Sequence, residues 1–191
     1  MTFKSLITAS LALTLSALLG QAEAGWAWGW CPTVTLQPSF DLSQYTGVWY
    51  EQYRDALIPY EYGDCVQAGY SLNQDGTVQV KNSLENPFTG SVDSVLGSAA
   101  CTGAQCYVGF FIFRTGDYRV VSTDYTNYAV VYGCTNYFFF RFENTWVLTR
   151  ALAPAASVMT TAVGEVTTNL PFYSQSNWHA TKQGGSCVYG Q

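Results

Sequence analysis

The chain has 191 residues, of which 48% are hydrophobic, 16% aromatic and only 11% charged, with eight Lys or Arg against 13 Asp or Glu. Intrinsic disorder needs few apolar groups and many charges, and a nucleic-acid binder needs a basic surface, so both classes are excluded. One domain with a substantial core is the expectation at this length.

Residues 1–24 read as a secretory signal peptide. Lys4 supplies the leading charge, positions 6–19 hold only Leu, Ile, Ala, Ser and Thr, and Ala22-Glu23-Ala24 is a small-x-small cleavage site. The apolar run is shorter than the roughly 18 to 20 residues that cross a bilayer. All six cysteines, at 31, 65, 101, 106, 134 and 187, follow the cleavage site. An even count in an exported chain implies disulfides, with about 15 connectivities open if all of them pair. Residues 25–191 are expected to form a single domain.

From Gly47 onward, short aromatic and β-branched runs alternate with turn signals about every ten residues, the spacing of an antiparallel sandwich or barrel. Eight strands are predicted, at about 48–54, 66–72, 78–83, 91–100, 106–114, 118–123, 128–135 and 138–150. Asn73-Gln74-Asp75-Gly76, Asn86-Pro87 with Gly90, Thr102-Gly103, Thr115-Gly116-Asp117 and Thr126-Asn127 separate them with turn-tolerant residues. A chain of hairpins either leaves two open edges or closes on itself, and closure removes the edge liability. After the last strand, Val158, Met159, Ala162, Val163 and Val166 recur at steps of three and four, predicting one helix over about 155–168 whose apolar stripe packs on the outer wall. A tail runs on to 191.

Three motifs fall at matching places in this architecture. Phe40-Asp41 with Tyr45-Thr46-Gly47-Val48-Trp49-Tyr50, then Thr123-Asp124-Tyr125-Thr126-Asn127-Tyr128, then Trp146-Val147-Leu148-Thr149-Arg150 resemble, in order, the three signature motifs of the lipocalin family. Pro59-Tyr60-Glu61-Tyr62-Gly63-Asp64-Cys65 and the run 128–134 are similar to its apolipoprotein D branch. The resemblance covers about 31–187 and implies an all-β fold: an eight-stranded antiparallel up-and-down barrel over about 47–150, with one C-terminal helix outside it. It further implies that Cys31 pairs with Cys134 and Cys65 with Cys187. Cys101 and Cys106 depart from the branch pattern; they flank a turn and could form a cross-strand pair, or alternatively a redox-active or zinc-binding pair.

The signature residues have a physical reading as the base of the barrel. Gly47 permits the tight entry into strand one, Trp49 plugs the closed end, and Arg150 can lie over the indole while donating to nearby carbonyls. Asp124 and Tyr125 belong to the same structural set rather than to ligand contacts.

A barrel of eight strands is just wide enough for one small ligand. Counting back in twos from Arg150 puts Trp146 and Asn144 on the inner face, and transferring family positions adds Tyr70, Val80, Asn82, Val108, Phe110, Tyr118, Val120 and Val131. This lining suits an apolar molecule, a fatty acid or other lipid first, then a steroid, retinoid, carotenoid or bilin. The segment 56–60, with Leu57 and Ile58, is where the family has a lid, and exposed apolar groups there call for cover by ligand, partner or membrane. Trp26, Trp28 and Trp30 either dock across the closed end or stay exposed as an anchor for a membrane or lipid particle. No cofactor or metal is expected: His179 is the only imidazole. The alternatives to a carrier are a lipocalin-type enzyme, an isomerase or redox catalyst needing a free thiol or a placed acid, and a ligand-free module recognised through its loops. No Asn-x-Ser/Thr sequon is present.

Overall fold

The computed structural model describes residues 25–56, 58–110 and 115–190; the signal-peptide assignment at 1–24 and the lid residue Leu57 fall outside the described residues. In chain order the elements are β1 (Trp26–Trp28), a one-turn helix α1 (Leu42–Tyr45), β2 (Gly47–Asp55), β3 (Asp64–Leu72), β4 (Val78–Glu85), β5 (Val92–Thr102), β6 (Gln105–Gly109), β7 (Thr115–Thr123), β8 (Tyr128–Tyr137) and β9 (Phe140–Thr149). They continue with α2 (Ala156–Asn169), a 3-10 turn (Gln175–Asn177) and β10 (Trp178–Ala180). Strands β2 to β9 pair antiparallel in sequence, and β9 returns to β2 from Tyr50↔Thr149 to Arg54↔Trp146. The result is the expected closed eight-stranded barrel.

Burial along the strands shows where the second layer lies. The first seven residues of β8 are buried without alternation, whereas β5 alternates between its two faces. A strand covered on both sides reads as a continuous apolar run, and β8 is covered inside by the barrel and outside by α2. Ala162 and Val166 of that helix, with Leu170 at its C-cap, pack on Tyr128, Val130, Tyr132 and Val147. Turns carry their own locks. The Asp124 carboxylate accepts from the backbone N–H groups of Thr126, Asn127 and Tyr128, which fixes the β7–β8 corner.

The base is built as the motifs suggested. Trp49 is fully buried and its indole donates to the Tyr45 carbonyl at 2.8 Å. The Arg150 guanidinium lies 3.7 Å from the ring centre and donates to the carbonyls of Tyr125, Val48, Gln44 and Tyr45. Gly47 sits at φ +96°, and a Cβ there would stand 3.1 Å from Arg150 Nη1. The Tyr125 hydroxyl accepts from the Asp41 backbone N–H, tying the incoming chain to the same corner.

The first expectation to be corrected concerns the N-terminal tryptophans. They do not dock across the closed end: β1 pairs with β9 as Trp26↔Phe142 and Trp28↔Phe140, near the opposite end of the barrel. The closed end is covered by Leu36, Phe40 and Tyr45. The reason is an unpaired edge. β2 follows β9 only as far as Trp146, so residues 140–142 of β9 would expose their ladder groups without β1. The mirror situation holds on the other side of β2, which leaves β3 after Tyr50↔Gln67; β10 fills that seam as Trp178↔Asp55 to Ala180↔Tyr53.

Disulfides pin both terminal strands. Cys31–Cys134 and Cys65–Cys187 span 103 and 122 residues, as the resemblance implied, and Cys101–Cys106 joins directly opposed residues of the β5–β6 hairpin. Each long bridge contributes roughly 4 to 5 kcal/mol on the chain-entropy account. Arg150→Ala is expected to lower the unfolding free energy by about 1 to 3 kcal/mol, and Arg150→Lys to recover little of it because an ammonium lacks the planar fork. Urea unfolding of the three proteins checks both statements.

Candidate ligand site

Register assigns the inner face strand by strand. Trp49↔Ala68↔Asn82 and Val80↔Tyr70 place Asn82, Val80 and Tyr70 inside, Val108↔Ala99 and Cys106↔Tyr118 place Val108 and Tyr118 there, and Val120↔Val131↔Trp146 with Gly133↔Asn144 complete the ring. Phe110 joins through packing. It lies against the cluster of Val78, Val80, Ala99 and Cys106, and a Cβ at Gly97 would stand 2.7 Å from its ring. All ten residues named from the sequence therefore share the barrel interior.

They divide by environment. Val120 and Val131 are fully buried with Trp49, Ala129 and Leu148 and form the floor. Above them three hydroxyls join: Tyr118 is 2.7 Å from the Tyr45 hydroxyl and 3.1 Å from that of Tyr70. Burial pushes the Tyr45 and Tyr118 phenols well up and Tyr70 up to about 12, so this cluster stays neutral.

Higher in the barrel the lining turns polar. A bulge between Glu51 and Tyr53 shifts the pairing so that Glu51, opposite Leu148, and Arg54, opposite Trp146, both face inward. Arg54 Nη1 is 2.8 Å from Glu51 Oε1, and the guanidinium also donates to the Thr181 hydroxyl oxygen and the Gly63 carbonyl. Thr181 in turn donates to Glu51. Glu61 lies on the β2–β3 connection, where its Oε2 accepts from the Trp146 indole at 2.8 Å. Burial, reinforced by Glu51 nearby, pushes the Glu61 carboxyl up to about 8. Burial also raises Glu51, against the pull of Arg54. The Oδ1 atoms of Asn82 and Asn144 and the Nε of Arg54 are buried with no partner.

These contacts correct the reading of the lid. Ile58 is not exposed but 3% accessible, whereas Tyr60 is 58% accessible. The loop turns inward because Arg54 holds Gly63 and Trp146 holds Glu61. Apolar exposure is found instead at the rim. Tyr137, Phe140, Phe142, Trp26 and Trp28 continue, in register, the inner face of β8 and β9, with ring centroids 5.1 Å apart for Trp26 and Phe142 and 4.1 Å for Trp28 and Phe140. Trp28, Trp30, Phe138, Phe139 and, on the β4–β5 turn, Phe88 are largely exposed.

Sequence reasoning missed Glu51, Arg54, Glu61 and Thr181. Counting in twos from Trp49 reaches Glu51, but the bulge that turns Arg54 inward and the tail that delivers Thr181 leave no local pattern. The chemistry available is binding rather than thiol catalysis. All six cysteines are bridged, which removes the thiol route to an isomerase and any thiolate at Cys101 and Cys106. Cys65 and Cys187 stand beside Glu85, yet their sulfurs are committed to each other. His179 pairs with Asp64 at 2.9 Å. On the outer wall a shallow depression bordered by Tyr107, Asp117, Arg119 and Asn136 is occupied by an Arg119–Asp117 ion pair and offers no apolar enclosure.

The lipocalin-like domain family matches residues 40–177. Apolipoprotein D of Cavia porcellus is 38% identical over 143 residues, 71% of this chain and 75% of that protein. Among solved structures, lobster apocrustacyanin A1 superposes with a TM-score of 0.75 at 21% identity, covering 87% of this chain and 96% of its own. Insecticyanin from the tobacco hornworm Manduca sexta gives a TM-score of 0.75 at 21% identity over 85% of this chain and 90% of its own.

The pKa values of two buried carboxyls give this structure a pH dependence. Asp55, which accepts from the Tyr173 hydroxyl, is pushed by burial up to about 6, and Glu61 up to about 8. Both bind a proton more tightly folded than unfolded, so their contribution to stability is complete below about pH 4 and is lost as pH rises through those values. The unfolding temperature is expected to fall as pH rises from about 5 to 9. Glu61→Gln, which keeps an acceptor for Trp146, should flatten the upper part of that fall. Thermal scans across pH test this, and equal slopes for the two proteins would refute it.

Proposed function

Because the chain belongs to the lipocalin family, we propose that it is a secreted carrier that holds a small hydrophobic ligand within the barrel. The carrying observation is the interior itself: an apolar wall of Val80, Val108, Phe110 and Trp146 that also contains buried polar atoms of Asn82 and Asn144 with no partner. Leaving such groups unpaired costs about 1 to 3 kcal/mol each, and an apolar molecule with a few polar atoms would both fill the space and satisfy them. Three disulfides fit an oxidising, extracellular compartment. The relatives support the class of function, one being named an apolipoprotein.

The aromatic rim supports a second element of this reading, delivery at a lipid surface. Trp28, Trp30, Phe138 and Phe139 protrude near the end through which cargo would pass, and indoles and phenyl rings favour the boundary between headgroups and acyl chains. Ile58 takes no part in this contact, being buried.

Titration with the neutral fluorescent probe N-phenyl-1-naphthylamine is expected to show one saturable site. Trp146→Ala should weaken it about ten- to a hundredfold, the loss of roughly 1 to 3 kcal/mol of apolar contact. Unchanged affinity in that variant would overturn the interior site. Flotation with phosphatidylcholine vesicles tests the rim: the wild type should float and the Trp28→Ser, Phe139→Ser double variant should not. Native mass spectrometry of protein from its own source would give the mass of the cargo.

A further inference from the structure

We propose that the upper barrel is a receptor for the ammonium head of an apolar amine, with Glu61 as its counter-ion and the Trp146 ring and the Asn82 and Asn144 carbonyl oxygens as its neutral partners. The inference rests on the carrier reading and narrows it to a ligand class.

The argument begins with charge. Glu51 and Arg54 face each other at 2.8 Å and cancel, and Arg54 spends its other terminal nitrogen on the Gly63 carbonyl. Glu61 is then a carboxyl in excess. Among the described residues, register turns Lys81, Arg119 and Arg141 outward, Arg150 lies under the floor, and His179, opposite Arg54 on β10, is held by Asp64 at 2.9 Å. A buried carboxyl without a counter-charge stays protonated or recruits a cation, and burial pushes Glu61 up to about 8. The groups that face it are Glu51 and Arg54 from β2, Tyr70 from β3 and Trp146 from β9.

The neighbours suit an ammonium in particular. An indole face attracts a cation, unpaired amide oxygens accept from N–H donors, and a carboxylate neutralises the charge. A fatty acid would place its carboxylate beside Glu51 with Arg54 already committed, so the order of preference is amine, then alcohol, then acid. At neutral pH the entering R–NH3+ meets a protonated Glu61. The carboxyl gives its proton to the buffer and the ion pair forms, so each amine bound expels close to one proton.

Three ligands of one chain length isolate the head group: dodecylamine, 1-dodecanol and dodecanoate, each displacing N-phenyl-1-naphthylamine at pH 7. The amine is expected to bind about tenfold more tightly than the alcohol, a difference of about 1.4 kcal/mol, and the acid more weakly than either. Calorimetry in buffers of different ionisation enthalpy should show proton release with dodecylamine alone. In Glu61→Gln the ratio of amine to alcohol affinity should fall to about one, and proton release should vanish. A circular-dichroism spectrum and urea midpoint matching the wild type show that the variant is folded. Dodecanoate binding as tightly as dodecylamine, an amine preference that survives Glu61→Gln, or no proton release in the wild type would each overturn the ammonium site while leaving a carrier. Failure of all three ligands and of the probe would overturn the carrier reading and this site with it.

Discussion

Closing an eight-stranded sheet requires the last strand to satisfy the free edge of the first, and the β9–β2 ladder does so over only part of its length. It runs from Thr149 to Trp146. Beyond that point β9 projects past its partner, and β2 itself parts from β3 after Tyr50. Each divergence exposes backbone donors and acceptors that must be paired or wetted. The chain resolves both with its own termini, β1 on β9 and β10 on β2. The two long disulfides follow from the same need, since a three-residue strand cannot hold a sheet edge by its own few hydrogen bonds. Cys31 and Cys187 anchor what pairing alone would leave to fray.

The interior follows a gradient set by that closure. Near the floor side chains pack to exclusion, and the phenols of Tyr45, Tyr70 and Tyr118 satisfy each other. Near the seams the strands part, the bulge turns a charged residue inward, and the backbone of the tail enters the wall. Polar groups collect where regular pairing ends. A buried ion pair such as Glu51–Arg54 contributes little net stability, but removing one partner costs about 3 to 5 kcal/mol, so the pair constrains the geometry of the upper barrel more than it strengthens it. The loop that carries Glu61 inherits that geometry through the Arg54 contact to Gly63.

Sequence legibility tracks the same gradient. The strands, the helix and the floor were readable because they rest on local periodicity and on motifs with one physical purpose: Trp49 and Arg150 can stack only if both ends of the barrel wall meet. Trp146 and Asn144 were readable because alternation in twos holds along a regular strand, and the other eight inner residues came from the positions the family resemblance implies. Alternation fails at a bulge, which is why Arg54 escaped notice, and it says nothing of Thr181 or Glu61, whose positions depend on a tail and a loop. The placement of the β1 tryptophans stayed open for a related reason. Their pattern announces an apolar face, and which of two barrel ends needs covering is decided by where β2 stops. Ile58 reads as exposed on composition alone, and the structure buries it because its neighbours are held from inside.

Thr181 lies ten residues from the end of the chain, yet its hydroxyl completes the partner set of Glu51 and Arg54, residues near the beginning. In a chain made from the N-terminus, every barrel strand is synthesised before this residue exists. A barrel of β2 to β9 alone would carry its interior charges under-bonded and its β2–β3 seam unfilled, and the C-terminal segment completes both. Cys65 must wait for Cys187 over the same interval, so that bridge can close only once the C-terminal segment has been made.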